Sequence, residues 1–279
     1  MAIWNRSRIE PSRWQLDWQA LRTGDYSDRY FYNGVRILET LAREGYRFEG
    51  YSTRLETLGL NPRLPVPIGD LAVEMQFFAR RKPFTVIAGI DAALAILQQA
   101  TGYFEGEQFI NTTHTLEVEA VHDGYCALYE GDPLAVVPVL KVRGRYRDFA
   151  LLETPLLGML TRMSRIATNT YRILQAARGK PVLFFPARFD LPQTQLYDGY
   201  AYYVGVQRYN SDYQAQVPAM VSTPMQASLW NGAAGGTTAH ALIAVFLGDV
   251  AELMLQFARI MPPELRRVAL VDFDNDCVG

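Results

Sequence analysis

Four places in this 279-residue chain hold side chains of the kind that chemistry requires. The first is Phe185-Pro186-Ala187-Arg188, which closes a short apolar run, Val182-Leu183-Phe184-Phe185. Such a run suits a strand buried on both faces of a parallel sheet. In α/β barrels the C-terminal end of that strand holds the site. An aromatic ring beside a guanidinium suits a flat, anionic ligand: Phe185 to stack, Arg188 to pair with a carboxylate. A core Phe and a surface Arg account for the same residues without a ligand. The second place is Gly232-Ala233-Ala234-Gly235-Gly236-Thr237-Thr238-Ala239-His240. Glycines leading into a helix N-terminus offer an anion a cradle of free backbone N–H groups. In the first turn of that helix, the dipole disfavours the imidazolium form of His240 and leaves a neutral nitrogen beside a phosphate. The plain alternative is a flexible loop. The third place is Asp272, with Asp274 and Asp276, after the apolar run Val268–Val271. Carboxylates there can take ribose hydroxyls or a hydrated Mg²⁺, or can line a solvated turn. The fourth is Asp28-Arg29-Tyr30-Phe31, whose aromatic pair reads as core or as part of a site completed from a distance.

Other chemistries are missing. There is no P-loop, no GxGxxG after a strand, no HExxH and no GxSxG. His114, His122 and His240 lie in unlike contexts, and Cys126 and Cys277 make no CxxC. No metal site is therefore expected, and the two thiols read as reduced cysteines of a cytoplasmic protein. With Lys+Arg 27 against Asp+Glu 29, nothing in the net charge points to nucleic acid or an anionic membrane. A hydrophobic fraction of 49% excludes a mostly disordered chain. The longest apolar runs, Leu134–Leu140 and Ala241–Leu247, are far short of the ~20 residues that span a bilayer.

The elements that must position these residues divide into two halves. The arm up to Gly24 carries Trp4, Trp14 and Trp18 and looks built to pack on something. Asp28 caps a helix to about Glu44, which Gly45 stops. A loop-rich stretch, Ser52–Pro67, precedes an expected helix over Ile68–Arg80, with Leu71, Met75 and Phe78 on one face. Asp91–Ala100 reads as a buried helix. Thr115–Val121 alternates with period two, as a half-buried strand does. With Tyr125–Tyr129 and Leu134–Val142 it predicts a three-stranded meander. After Arg147 the pattern changes. Thr154-Pro155 predicts a helix start with Thr as the cap, and Asn169–Arg178 a second helix. Further helices are expected over Thr238–Leu247 and Val250–Met261, and buried strands at Val182–Phe185 and Val268–Val271. The class is α/β, with an N-terminal α/β sandwich (α+β) domain over residues 1–147 and an α/β barrel over 148–279.

Taken in order, these places resemble the nicotinate phosphoribosyltransferase family. Ser27-Asp28-Arg29-Tyr30 is similar to its D-x-Y motif, and Leu152-Glu153-Thr154-Pro155-Leu156-Leu157 to its E-T-P-L-L segment. Phe185-Pro186-Ala187-Arg188 stands where the family has F-G-x-R. Gly236-Thr237-Thr238-Ala239-His240-Ala241-Leu242 looks like G-T-x-x-H-A-L, and Leu270-Val271-Asp272 like the L-x-D strand. The matches run from residue 27 to 274.

The resemblance implies a sandwich domain followed by an irregular barrel. It implies that nicotinate and phosphoribosyl pyrophosphate (PRPP) are joined to give nicotinate mononucleotide and pyrophosphate in NAD salvage. Mg²⁺ is the implied cofactor, with ATP coupled through a phosphorylated His240. Tyr30 and Phe185 would sandwich the pyridine ring, Tyr30 coming from the second subunit of a homodimer with shared active sites. Arg188 would hold the nicotinate side and Asp272 would face the ribose; Gly236 and Thr237, in the glycine-rich cradle, are further candidate substrate-binding residues. Two residues depart from the pattern: Pro186 replaces the family's Gly, and Phe189 its frequent second Arg. The family also continues past the position of Gly279 with more barrel strands and a PRPP-binding glycine loop. The expectation is a barrel cut short at its C-terminal end. A related enzyme for quinolinate or nicotinamide, or a catalytically incomplete binding subunit, are the other readings.

Overall fold

The computed structural model describes residues 7–50, 53–59, 65–236, 238–265 and 267–275. Its first described residues fold back onto the chain. Trp14 is fully buried; its ring stacks on Tyr197 at 6.3 Å and meets Tyr200 edge-on at 5.4 Å. Helix α1 (Trp18–Thr23) begins where the Asp17 carboxylate accepts a bond from Ala20 N. Gly24, at φ 81°, closes it. Trp14 of the arm is thus covered by its own chain and Trp18 is half-buried, while Trp4 lies outside the described residues. Helices α2 (Arg29–Arg43) and α3 (Thr53–Thr57) follow.

The segment expected as a helix over Ile68–Arg80 is strand β1 (Ala72–Phe78). Val73, Met75 and Phe77 alternate with Glu74, Gln76 and Phe78, and this two-residue period outweighs the Leu71/Met75/Phe78 spacing. Next come β2 (Phe84–Val86), α4 (Ile90–Ala100) and the hairpin of β3 (Gly102–Glu105) and β4 (Gln108–Asn111). They are followed by β5 (Glu117–Ala120), β6 (Cys126–Leu128) and β7 (Pro138–Arg145). The expected meander does not form. β7 runs between β1 and β5, antiparallel to both, while β6 pairs with β2 in a separate ribbon. The register puts Arg143 of β7 opposite Glu74 on one side and Glu117 on the other. Its guanidinium bonds Glu74, Glu117 and Glu119 on the outer face. The inner face, with Phe77, Leu140 and Val142, packs with Ile90, Ile96 and Leu97 of α4.

Helix α5 (Glu153–Ala176) is one continuous helix where two were expected. Its first half closes the sheet core through Leu156 and Leu160. Its second half, with Met163, Ala167, Tyr171 and Leu174, belongs to a separate core shared with Tyr200, Val204 and Tyr209. Ser164 and Thr168 hydroxyls accept bonds from Ala88 N and Val86 N, both at 3.0 Å, and so satisfy a buried edge. Strand β8 (Leu183–Phe184) pairs in parallel with β9 (Met220–Val221). It is not buried on both faces: Leu183 is exposed. Between them runs α6 (Gln195–Tyr213), and after β9 comes α7 (Pro224–Ala227), started by a Thr223–Gln226 capping box.

The chain forms two compact units, Met1–Gly232 and Ala233–Gly279, so the expected boundary at 147/148 falls inside the first. The second unit holds α8 (His240–Val245) and α9 (Val250–Ile260). The expected strand at Val268–Val271 is absent: these residues pair with no strand among the described residues, and Val268 and Val271 are exposed. A run of four apolar residues needs a neighbouring strand to become one. The fold is mixed α/β, and among the described residues no closed barrel forms. No described helix is long and apolar enough to cross a membrane.

Candidate active site

Two segments 126 residues apart meet where α2 and α5 begin. Asp28 N donates to Thr154 Oγ1, which in turn donates to Asp28 Oδ2, both at 3.1 Å. The Tyr30 hydroxyl donates to the same Oδ2 at 3.1 Å. Thr154 is therefore not the helix cap that its position before Pro155 suggests; its hydroxyl is committed to Asp28. The Asp28 hydrogen bond holds the Tyr30 phenol above its usual range. Burial, then the charge of Asp28, raises the Glu153 carboxyl. Tyr30 is 65% exposed, with Phe31 as its ring neighbour at 4.5 Å. No ring contact joins it to Phe185 among the described residues.

Phe185 and Arg188 lie just past β8, in a turn closed by Phe189 N to Pro186 O at 2.8 Å. Phe185 is 54% exposed, so it is not a core residue. Arg188 is exposed and has no ion pair among the described residues. A second arginine, not singled out from the sequence, fixes this turn. Arg162 of α5 reaches Asp190 at 2.5 Å and grips the buried Asp198 of α6 through two bonds of 2.8 Å. Its charge is consumed by the two carboxylates, while Arg188 in the same turn keeps its guanidinium unpaired among the described residues. Only the structure joins Arg162 to Asp198, because the pair is 36 residues apart.

In the second unit His240 and Asp272, 32 residues apart, come together: Nε2 lies 3.0 Å from Asp272 Oδ1. An ionised carboxylate only accepts, so Nε2 is the nitrogen that donates to Asp272. The pair orients the ring as carboxylate–histidine pairs generally do and turns Nδ1 away from Asp272. Gly236 is exposed, with open space where a side chain would stand. Thr237 lies outside the described residues. Thr238 Oγ1 is screened from solvent with no partner among them.

Residues 51–164 match the profile of the quinolinate phosphoribosyl transferase N-terminal domain. Nicotinate-nucleotide pyrophosphorylase from Pyrococcus furiosus is 25% identical over 91% of this chain, with a TM-score of 0.61. The chain spans only 51% of that protein's length. Human nicotinic acid phosphoribosyltransferase has the same fold at 22% identity and a TM-score of 0.50, over 64% of this chain and 37% of its own. No curated protein sequence matches. The domain match thus names quinolinate where the sequence motifs point to nicotinate. By domain profile and by fold, the chain is similar to the quinolinate phosphoribosyl transferase and nicotinate-nucleotide pyrophosphorylase family.

Proposed function

We propose that this chain carries out phosphoribosyl transfer from PRPP to a pyridine carboxylate in NAD biosynthesis, and that the acceptor is nicotinate. The domain match and the Pyrococcus furiosus relative support the reaction class. The observation that carries the substrate is the exposed Phe185 ring beside an Arg188 with no ion-pair partner among the described residues. One free guanidinium pairs with one carboxylate. The two carboxylates of quinolinate call for a denser basic cluster, and nicotinamide offers Arg188 no charge.

The pyridine nitrogen is already nucleophilic, so the chain's part is placement. Phe185 stacks on the ring and Arg188 fixes the carboxylate, while the exposed Tyr30 of a second subunit covers the other face. The lone pair forms the new bond to ribose C1 as the bond from C1 to pyrophosphate breaks, through an oxocarbenium-like state. By the motif resemblance, Asp272 is the carboxylate for the ribose hydroxyls. A Mg²⁺ would be held mainly by the substrate phosphates. When bound, it neutralises the leaving pyrophosphate. In the ATP-coupled form, His240 Nδ1 takes the γ-phosphoryl group, and ADP leaves with the electrons of the broken P–O bond.

The test is a comparison of nicotinate, quinolinate and nicotinamide, each with PRPP and Mg²⁺, following mononucleotide and pyrophosphate. Nicotinate should turn over fastest. Faster turnover of quinolinate removes the single-carboxylate reading, and no transfer to any base removes the reaction class.

A further inference from the structure

A cleft of about 440 Å³ opens between the end of β1, β2 and the first half of α5. None of Asp28, Tyr30, Phe185 and Arg188 lines it. Its size is that of a small-molecule site, ~300–1,000 Å³. Its apolar wall includes Phe77, Ile87, Val139 and Leu160, and three guanidiniums, Arg80, Arg81 and Arg165, stand around it.

These arginines differ from their neighbours. Arg143, Arg145, Arg147, Arg162 and Arg208 are each paired with a carboxylate. Arg80, Arg81 and Arg165 have no ion pair among the described residues. Arg80 is held over the Phe78 ring, 4.9 Å from its centroid. Three cations around one concavity repel each other unless an anion joins them.

Thr85 supplies an independent observation. It lines the cleft and is only 4% exposed, and its Oγ1 has no hydrogen-bond partner among the described residues. Nearby Val86 N and Ala88 N are satisfied by Thr168 and Ser164, so the strand does not need this hydroxyl. An unmet buried hydroxyl weakens a fold, and Val has the same shape and a high strand propensity. A threonine here makes sense if a ligand completes its bonding.

We infer that this cleft is a second binding site, for a small organic anion whose apolar body sits against Phe77 and Leu160 and whose charge meets Arg81 and Arg165. The inference goes beyond the proposed transferase reaction and does not depend on it.

The experiment is calorimetric titration of the full chain with benzoate, with benzamide as the neutral analogue and inorganic phosphate as the anion without an apolar body. Benzoate should bind with a Kd near or below ~1 mM, and each control at least about tenfold more weakly. Arg81→Gln with Arg165→Gln should weaken benzoate by about tenfold or more, as loss of charged hydrogen bonds does. All titrations are made in a Phe185→Ala, Arg188→Ala chain, so that benzoate reports the cleft and not the proposed nicotinate site. Thr85→Val gives the signature that a merely structural role would not: benzoate binding weakens while Tm of the free chain rises by about 2–4 °C. Three results overturn the inference: no benzoate binding at about 10 mM; equal binding of benzamide or phosphate; or unchanged binding when Arg81→Gln and Arg165→Gln are added. A Thr85→Val chain that binds benzoate normally removes the hydroxyl from the site.

Discussion

Asp28 gives one carboxylate oxygen to two hydroxyls, those of Tyr30 and Thr154, and so sets Tyr30 at the head of α2. The same charge acts on Glu153, whose carboxyl burial and Asp28 together push above the usual carboxylate range. An unfolded glutamate titrates near ~4.3, and the folded one titrates higher. Below the unfolded value both states are protonated and Glu153 costs nothing. As pH rises through the folded value, the folded chain ionises an unfavourable group and loses stability. Glu153→Gln should therefore raise Tm at about pH 7 and leave it unchanged at about pH 4. Because Glu153 is only half-buried, solvent screening keeps the gain small, about 1–2 °C. Equal Tm shifts at both pH values would show that the effect is not the carboxylate charge. At the ligand, Arg188→Ala should raise the nicotinate KM about 10- to 100-fold, since a charged hydrogen bond contributes ~1.5–3 kcal/mol. Unchanged nicotinate kinetics remove Arg188 from the site. In the second unit, labelled ATP should give an acid-labile phosphohistidine that His240→Asn abolishes and Asp272→Asn diminishes. Active enzyme that takes up no label ends the ATP-coupled reading while leaving PRPP-driven transfer intact.

At the scale of elements, period and burial decide what can be read in advance. α4 and β5 were legible: one is an Ala/Leu-rich run between a glycine and a threonine, the other strictly alternating. β1 was misread because Leu71, Met75 and Phe78 also satisfy a helical spacing, and only pairing with β7 chooses between the periods. α6 gave no signal. It is buried on nearly every side, with Tyr200, Tyr202, Val204, Val206 and Tyr209 all inside, so no polar face marks its period. Its glycines show how close the neighbours come. A Cβ on Gly199 would stand 2.1 Å from Gln226 O, and one on Gly205 would stand 2.6 Å from Ala167 O. Both contacts are with backbone, which cannot rotate away. Gly199→Ala should therefore destabilise the chain by ~1–3 kcal/mol, the usual cost of overpacking. Urea unfolding measures it, and a midpoint unchanged from wild type would mean that α7 moves aside freely. Phe185, Arg188, His240 and Asp272 could each be nominated by residue type, but the meeting of His240 and Asp272 could not be. The Asp28–Thr154 and Arg162–Asp198 links could not, because each depends on helices meeting across long sequence separations.

For the whole molecule, assembly is the question that bears on function. The argument for a partner surface no longer rests on the tryptophan arm: Trp14 is fully buried against Tyr197 and Tyr200 of its own chain. It rests on α2, which has one buried residue, Val35, and leaves Tyr30 and Ile37 largely exposed. Exposed apolar side chains along one helix mark an interaction face. Asp28 and Thr154 hold the start of that helix in place, so the Tyr30 ring is presented in a fixed position and not on a free tail. The expected assembly is a two-fold symmetric dimer in which each Tyr30 reaches Phe185 of the partner subunit, with ring centroids ~4.5–7 Å apart. Light scattering should report a dimer, and Tyr30→Asp should shift it towards monomer without lowering the helical signal. A Tyr30→Cys, Phe185→Cys double variant should form a covalent dimer on mild oxidation, while each single variant should not. Cys126 is only partly exposed, and the single variants control for any contribution from it. A double variant that closes its new disulfide within one chain overturns the shared site. A dimer that forms no crosslink also overturns it, since its axis leaves Tyr30 away from Phe185. Loss of transferase activity in Tyr30→Ala, restored by mixing with Phe185→Ala so that one complete site forms per mixed dimer, is the functional counterpart, with about a quarter of wild-type activity expected from random mixing of equal amounts.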